Sequence, residues 1–215
     1  MSATSHYTST GLDNRKIAIW AFIGSECMLF ASLISTYLVY KGRSITGPFP
    51  HEVWKDPSTG HVFKPILNIP VTSMSTFVLL MSSLAMVLAL AAVQNKHVPK
   101  RTLGDKILGS SKLWLFMTAL LGATFLGFQA FEFTSFVHEG LTIKTNLFGS
   151  SFFTLTGFHG AHVTAGVIWL LTLLMIDFKR GLTPDDALNV DIAALYWHFV
   201  DVVWIAIFTL VYLIR

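Results

Sequence analysis

The chain has 215 residues, of which 53% are hydrophobic and 13% charged. Soluble domains carry about 25% charged residues, so the composition excludes an ordinary soluble fold and points to the bilayer as solvent. A formal charge of +3 and an isoelectric point near 9 do not mark a nucleic-acid binder. The basic residues lie between apolar runs, not in one patch with interleaved aromatics, and read as a membrane-orientation signal.

Residues 1–16 form a polar tail rich in Ser and Thr. The first apolar run, 17–40, is about 24 residues long, which is too long for a signal-peptide core and has no small-residue cleavage site after it. It holds Cys27, the single cysteine, so an intrachain disulfide is excluded. Cys27 reads as a small apolar packing residue. Residues 41–69 hold Gly42, Gly47, Pro48, Pro50, Pro57, Gly60 and Pro65, which block long regular elements and predict an irregular surface loop. The second span is 70–93. The loop 94–111 carries Lys96, Lys100, Arg101 and Lys106. Spans at 112–137, 150–178 and 191–214 follow, separated by short connections. Each of the five is long enough to cross a bilayer, which takes about 20 residues. Eighteen Phe and six Trp suit a lipid-facing surface with interfacial anchors. The predicted fold is an all-α, polytopic membrane bundle of five helices, forming one domain over 1–215.

The distribution of Lys and Arg sets the orientation. With a cytoplasmic N-terminus, the inside holds Arg15, Lys16, Lys96, Lys100, Arg101, Lys106, Lys112, Lys179 and Arg180, and the outside holds Lys41, Arg43, Lys55, Lys64, Lys144 and Arg215. The loop 94–111 decides most. An odd number of spans then puts the C-terminus outside. Small residues recur every four positions at Ala119, Ala123 and Gly127, and at Gly157, Ala161 and Ala165. This spacing lets helices approach closely.

Six ionisable side chains inside the spans carry the chemistry: Glu26, Glu132, His159, His162, His198 and Asp201. Such groups are costly in a bilayer and usually face the bundle interior or a water-filled cavity. At about 1.5 Å per residue, Glu26 and the His198–Asp201 face lie roughly 10–15 Å from the cytoplasmic side. Glu132 and His159 lie nearer the other side. Glu26 is therefore predicted to pair with His198 or Asp201, and Glu132 with His159, each partner offsetting the desolvation of a carboxylate. The rows Phe22, Glu26, Leu29, Leu33 and Gly122, Phe125, Gln129, Glu132, Phe136 run as 3–4 seams, whose aromatics read as core packing. His159 and His162, with the two Glu, loosely echo the di-iron bundles, but the Glu-x-x-His pairs those need are absent. Haem ligation is chemically open to a histidine; hydrogen bonding between helices is the simpler reading. No nucleophile–base pair, phosphate loop or cysteine cluster occurs, so neither a catalytic nor a metal site is expected.

Four ordered stretches carry a family resemblance. They are Gly24-Ser25-Glu26-Cys27-Met28-Leu29-Phe30; Gly127-Phe128-Gln129-Ala130-Phe131-Glu132-Phe133; Gly149-Ser150-Ser151-Phe152-Phe153 with Thr156-Gly157-Phe158-His159-Gly160-Ala161-His162-Val163; and Tyr196-Trp197-His198-Phe199-Val200-Asp201-Val202-Val203-Trp204. Together they resemble subunit III of the haem–copper respiratory oxidases, over nearly the whole chain from about Ile17. The resemblance implies a non-catalytic core subunit of a proton-pumping terminal oxidase that reduces oxygen to water. That subunit packs on subunit I; haem and copper reside in its partners, subunits I and II, and it holds phospholipid and supports proton uptake. It implies a bacterial plasma membrane, with cytochrome c as donor through the complex; a quinol oxidase subunit is the runner-up and a nitric oxide reductase accessory subunit the third reading. By position, Glu26 matches the family's buried carboxylate near its lipid cleft. Lys179 and Arg180 sit at a cytoplasmic helix end, where headgroup phosphates are attracted. The mitochondrial form has seven spans, so the two spans that form one wall of that cleft are absent here, and a neighbouring subunit is the expected source of them. A stand-alone transporter is the rival from another class. The repeats and broken helices typical of transporters are not visible in the sequence.

Overall fold

Nearly every long helix in the computed structural model of the protein starts at a side chain that caps it. The structure describes residues 11, 13–55, 60, 62, 63, 65, 67–96 and 102–214. Most of the polar tail, Lys64, Lys100, Arg101 and Arg215 lie outside them. Helix α1 (Asn14–Tyr40) begins behind Asp13, whose carboxylate accepts from the Arg15 backbone and side chain. The Arg15 guanidinium holds the Asp13 carboxyl below its ordinary range. Helix α2 (Ile69–Gln94) starts behind Asn68, with a proline in its first turn, where a missing N–H costs nothing. The short α3 (Leu103–Leu108) is closed by a Thr102–Asp105 capping box. Ser110 caps α4 (Ser111–His138) and Asn146 caps α5 (Leu147–Lys179). A 3-10 turn, Pro184–Asp186, leads into α6 (Ala187–Phe208), which ends in a π-helical turn, Thr209–Leu213.

Five of these helices are long and apolar enough to span a membrane, as the hydropathy predicts. The boundaries differ where capping overrides hydropathy. Asn146 starts α5 three residues before the predicted 150, and the 3-10 turn starts the last helix before 191. Loop 94–111 contains α3. Loop 41–69 is mostly irregular, but two strands of two residues, β1 (Trp54–Lys55) and β2 (Val62–Phe63), pair antiparallel within it.

Helices α1, α4 and α6 run one way, and α2 and α5 return. At the amino end, Lys16 pairs with Asp191 at 2.7 Å and Arg15 donates to Asn189 at 3.1 Å, joining the starts of α1 and α6. At the carboxyl end, Asn146 donates to the Thr46 and Pro48 carbonyls. Helix α2 lies against α4 and α6; α5 touches α1, α4 and α6; α1 packs chiefly on α5 and α6. Helix α1 is the least buried span. Cys27 lies on its exposed side rather than in the packing position predicted.

Trp197 on α6 holds the centre. Its Nε1 donates to Ser82 Oγ on α2 at 3.0 Å. Its ring fills the space at Gly122 on α4 and Gly166 on α5, where an added Cβ would stand 2.5 and 2.8 Å from it. The predicted small-residue rows play a different part. Ala119 is buried as predicted, but Gly127 and Gly157 meet nothing within 4 Å, and Ala123, Ala161 and Ala165 are exposed. The close approaches are made by Gly122, Gly160 and Gly166 instead, because they stand opposite large side chains. The seam Gly122, Phe125, Gln129, Glu132, Phe136 is buried throughout, as predicted. On α1 the buried row is Ile19, Ile23, Phe30, Tyr37, with Phe22 exposed.

Lys41, just past α1, donates to the carbonyls of Leu210 (3.3 Å) and Ile214 (2.5 Å). A cation at unpaired terminal carbonyls stabilises a helix end. Lys41→Ala is expected to destabilise this end by about 1 kcal/mol. Amide exchange should speed up over 208–214 and stay unchanged in the middle of α6.

Candidate functional site: a layered polar core

Polar side chains in the bundle are arranged in layers along its axis. At the carboxyl end Glu132 is buried on α4. Its Oε1 accepts from Thr72 of α2 at 2.8 Å and its Oε2 from Tyr212 at 3.0 Å. It does not pair with His159, as the shared depth had predicted. The start of α2 and the turn after α6 reach Glu132 instead, each with a hydroxyl.

Near mid-depth, His162 Nε2 meets Glu26 Oε2 at 3.0 Å, each side chain 16% exposed. His162 Nδ1 lies 2.7 Å from the Phe158 carbonyl. A carbonyl only accepts, so Nδ1 carries hydrogen. The Nε2–Oε2 contact then holds one further proton, and the pair is neutral overall whichever atom owns it. Phe30 stands edge-on to the His162 ring at 5.0 Å, and Tyr196 donates to the His162 carbonyl at 3.0 Å. The predicted pairing of Glu26 with His198 or Asp201 fails for a topological reason: α6 lies between α1 and α2, and these two side chains turn toward α2. His198 Nδ1 lies 2.5 Å from Ser83 Oγ. Asp201 is buried beside Ser83, and neither of its oxygens meets hydrogen-bonding geometry among the described residues.

His159 precedes His162 by three positions, which offsets the two by about 60° around α5. His162 therefore reaches α1, while His159 points into the core. Its ring stacks on Trp204 (centroids 4.9 Å apart) and meets Phe125 edge-on at 5.8 Å. Both ring nitrogens are enclosed without a hydrogen-bond partner among the described residues. Trp204 in turn donates to Thr76 at 2.9 Å. Gln129 donates to the Thr156 carbonyl at 2.7 Å and lies against Gly160, where a Cβ would come within 2.7 Å of its Oε1.

The amino end holds a carboxylate that sequence reasoning missed. Asp177 accepts from Ser111 Oγ (2.6 Å) and from the Leu182 backbone (2.8 Å), tying α4 to the α5–α6 turn. It lies within the predicted span 150–178, and an inventory extended to the span's last turn would have found it. Thr72, Ser83 and Tyr212 were missed because they carry no charge at neutral pH; their signal was a hydroxyl on a core-facing position. Lys96 donates to the Leu182 carbonyl. Arg180 grips Asp186 with two bonds, at 3.0 and 2.8 Å. Its guanidinium is thus already held, whereas Lys179 is exposed beside it.

Among the described residues, no three His, Cys, Asp or Glu side chains gather to hold a metal ion. His159 is walled in by rings, and His162 is taken by Glu26 and Phe158. These residues do not fit a haem or a metal centre within the chain.

The sequence profile of the family described as cytochrome c oxidase subunit III matches residues 2–214. The chain is 42% identical to cytochrome c oxidase subunit 3 of Bacillus sp. (strain PS3), over 93% of this chain and 86% of that protein. It is 40% identical to the protein of the same name from Bacillus subtilis (strain 168), with the same coverage. It is 39% identical to quinol oxidase subunit 3 of Bacillus subtilis (strain 168), over 92% of this chain and 85% of that protein. A match over nearly the full length, on a five-span bundle whose motif residues fill the layers just described, establishes that the chain is a multi-pass membrane protein of the cytochrome c oxidase subunit III family, whose members are subunits of haem–copper oxidase complexes.

Proposed function

We propose that this chain is the non-catalytic subunit III of a proton-pumping terminal oxidase in a bacterial plasma membrane. There it braces subunit I, lies near subunit II, and retains phospholipid. Haem and copper belong to those two partners, and they carry out the reduction of oxygen to water. The observation that carries the reading is the full-length family match. The geometry agrees with a bracing role: the polar side chains of the core turn toward neighbouring helices and aromatic rings, and the chain supplies rigidity rather than a reaction centre. Cytochrome c is the donor we favour, given the names of the two Bacillus relatives at 42% and 40% identity. A quinol donor is the second reading, favoured by the relative at 39%. The N-terminus faces the cytoplasm, because the basic residues concentrate at the amino end of the bundle. Lipid contact is supported by the partly exposed Glu26–His162 seam and by the exposed Lys179.

The test is purification through a tag on this chain in mild detergent, with a redox difference spectrum and identification of the co-purifying subunits. Haem bands and two larger partners are expected, and a copper-binding domain in subunit II would name cytochrome c as donor. A colourless chain purified alone, from cells making respiratory oxidases, would overturn the assignment and favour a transporter.

A further inference from the structure

We propose that Glu132 is a proton-exchanging carboxyl, reached by water through a cavity at the carboxyl end of the bundle. The cavity lies between the start of α2 and the end of α4 and measures about 370 Å³, room for several water molecules. Asn68, Ser135, Glu139 and Phe131 are among its lining residues, and Glu132 itself forms part of the wall. Glu132 is only 8% exposed, so it meets water there and little elsewhere.

Its hydrogen bonds suit both protonation states without moving a helix. Thr72 Oγ1 lies 2.8 Å from Glu132 Oε1 and 3.0 Å from the Asn68 carbonyl. With its hydrogen on Glu132, the hydroxyl serves the carboxylate, and Tyr212 donates to the second oxygen. With its hydrogen turned to the Asn68 carbonyl, the same hydroxyl accepts from a protonated Glu132. One hydroxyl rotation therefore accompanies proton uptake. Among the described residues, the ionisable groups around the site are few. Tyr212 stands against it from the turn after α6. Glu139 faces the same cavity from α4. Tyr37 of α1 is buried near the same end, its ring edge-on to Phe148 at 6.3 Å. Lys41 holds the carbonyls of Leu210 and Ile214, which flank Tyr212. From α5, the Phe152 ring packs on Tyr212 at 6.2 Å.

This inference stands apart from the choice of electron donor and concerns the chain wherever it is assembled. It is tested on the purified membrane complex by infrared difference spectroscopy, with pH jumps and exchange from H2O to D2O. A carboxylic C=O band is expected to vanish as pH rises, to shift in D2O, and to be absent in Glu132→Gln. Ser135→Leu, which narrows the cavity, should slow the isotope shift by on the order of tenfold. Thr72→Val should move the band's frequency, since it removes the rotating hydroxyl. These last two variants decide the matter if Glu132→Gln does not assemble. A band unaffected by pH and solvent isotope, or an isotope shift equally fast in Ser135→Leu, would overturn the proposal.

Discussion

Replacing Trp197 by alanine is expected to destabilise the bundle by about 3–5 kcal/mol. Lipid supplies no hydrophobic drive between helices, so close packing and hydrogen bonds must hold them together. Trp197 provides both at once, to three neighbours: its ring fills the spaces at Gly122 and Gly166, and its N–H reaches Ser82. The alanine variant leaves a cavity among α4, α5 and α6 and removes the donor to Ser82, whose hydroxyl keeps only its bond to the Leu79 carbonyl. Gly122→Leu should act from the opposite side by overfilling the same space, at about 1–3 kcal/mol or more. Ser82→Ala keeps the ring in place but leaves its buried N–H without this acceptor, at the lower end of about 1–3 kcal/mol. Thermal unfolding of the detergent-solubilised complex, followed by circular dichroism, should rank the three in that order. An alanine variant at position 197 that melts with the parent would show that the ring does not hold these helices.

His162→Ala is the second large effect. It leaves the Glu26 carboxyl in the seam between α1 and α5 without the base that shares its proton. Removing one member of such a pair costs about 3–5 kcal/mol, mostly the penalty of the stranded group. Glu26→Ala should be milder, because the histidine it leaves can be neutral and keeps its bond to the Phe158 carbonyl. The double variant should recover part of the loss, giving a coupling of about 0.5–3 kcal/mol. In turnover, Glu26→Ala should give an assembled oxidase with its initial rate retained, but with a shorter catalytic lifetime and weaker lipid retention. Complete loss of oxygen reduction in an intact complex would contradict a non-catalytic role for this chain.

The spans were legible because a bilayer demands about 20 apolar residues of each helix, and that demand is written locally in the chain. The identity of the polar core was also legible, since ionisable groups in apolar runs stand out. Their pairing was not. Depth along the axis follows from residue counting, but pairing also needs the rotation of each helix and the order of neighbours. Glu26 found His162 rather than His198 because α6 turns the latter toward Ser83 on α2. Glu132 found two hydroxyls, and hydroxyls do not stand out in hydropathy. The small-residue rows misled for the same reason: spacing marks a face, but not whether a neighbour of this chain covers it. Gly122 and Gly166 matter because Trp197 stands opposite, a fact of three dimensions.

The attachment of α1 has a consequence for the order of assembly. Its ties run to residues made far later: Glu26 to His162 across 136 positions, Arg15 to Asn189 across 174, and Lys41 to the Leu210 carbonyl across 169. Of the five spans described, α1 is therefore made before the partners that hold it, whereas α2 and α4 adjoin each other and are made sooner together. Its glutamate stays without a partner until the fourth span is inserted, and its two ends are fastened only when the fifth is complete. Contacts so distant in sequence form slowly. Among these five spans, α1 depends most on residues that follow it far along the chain, so its attachment is expected to come late.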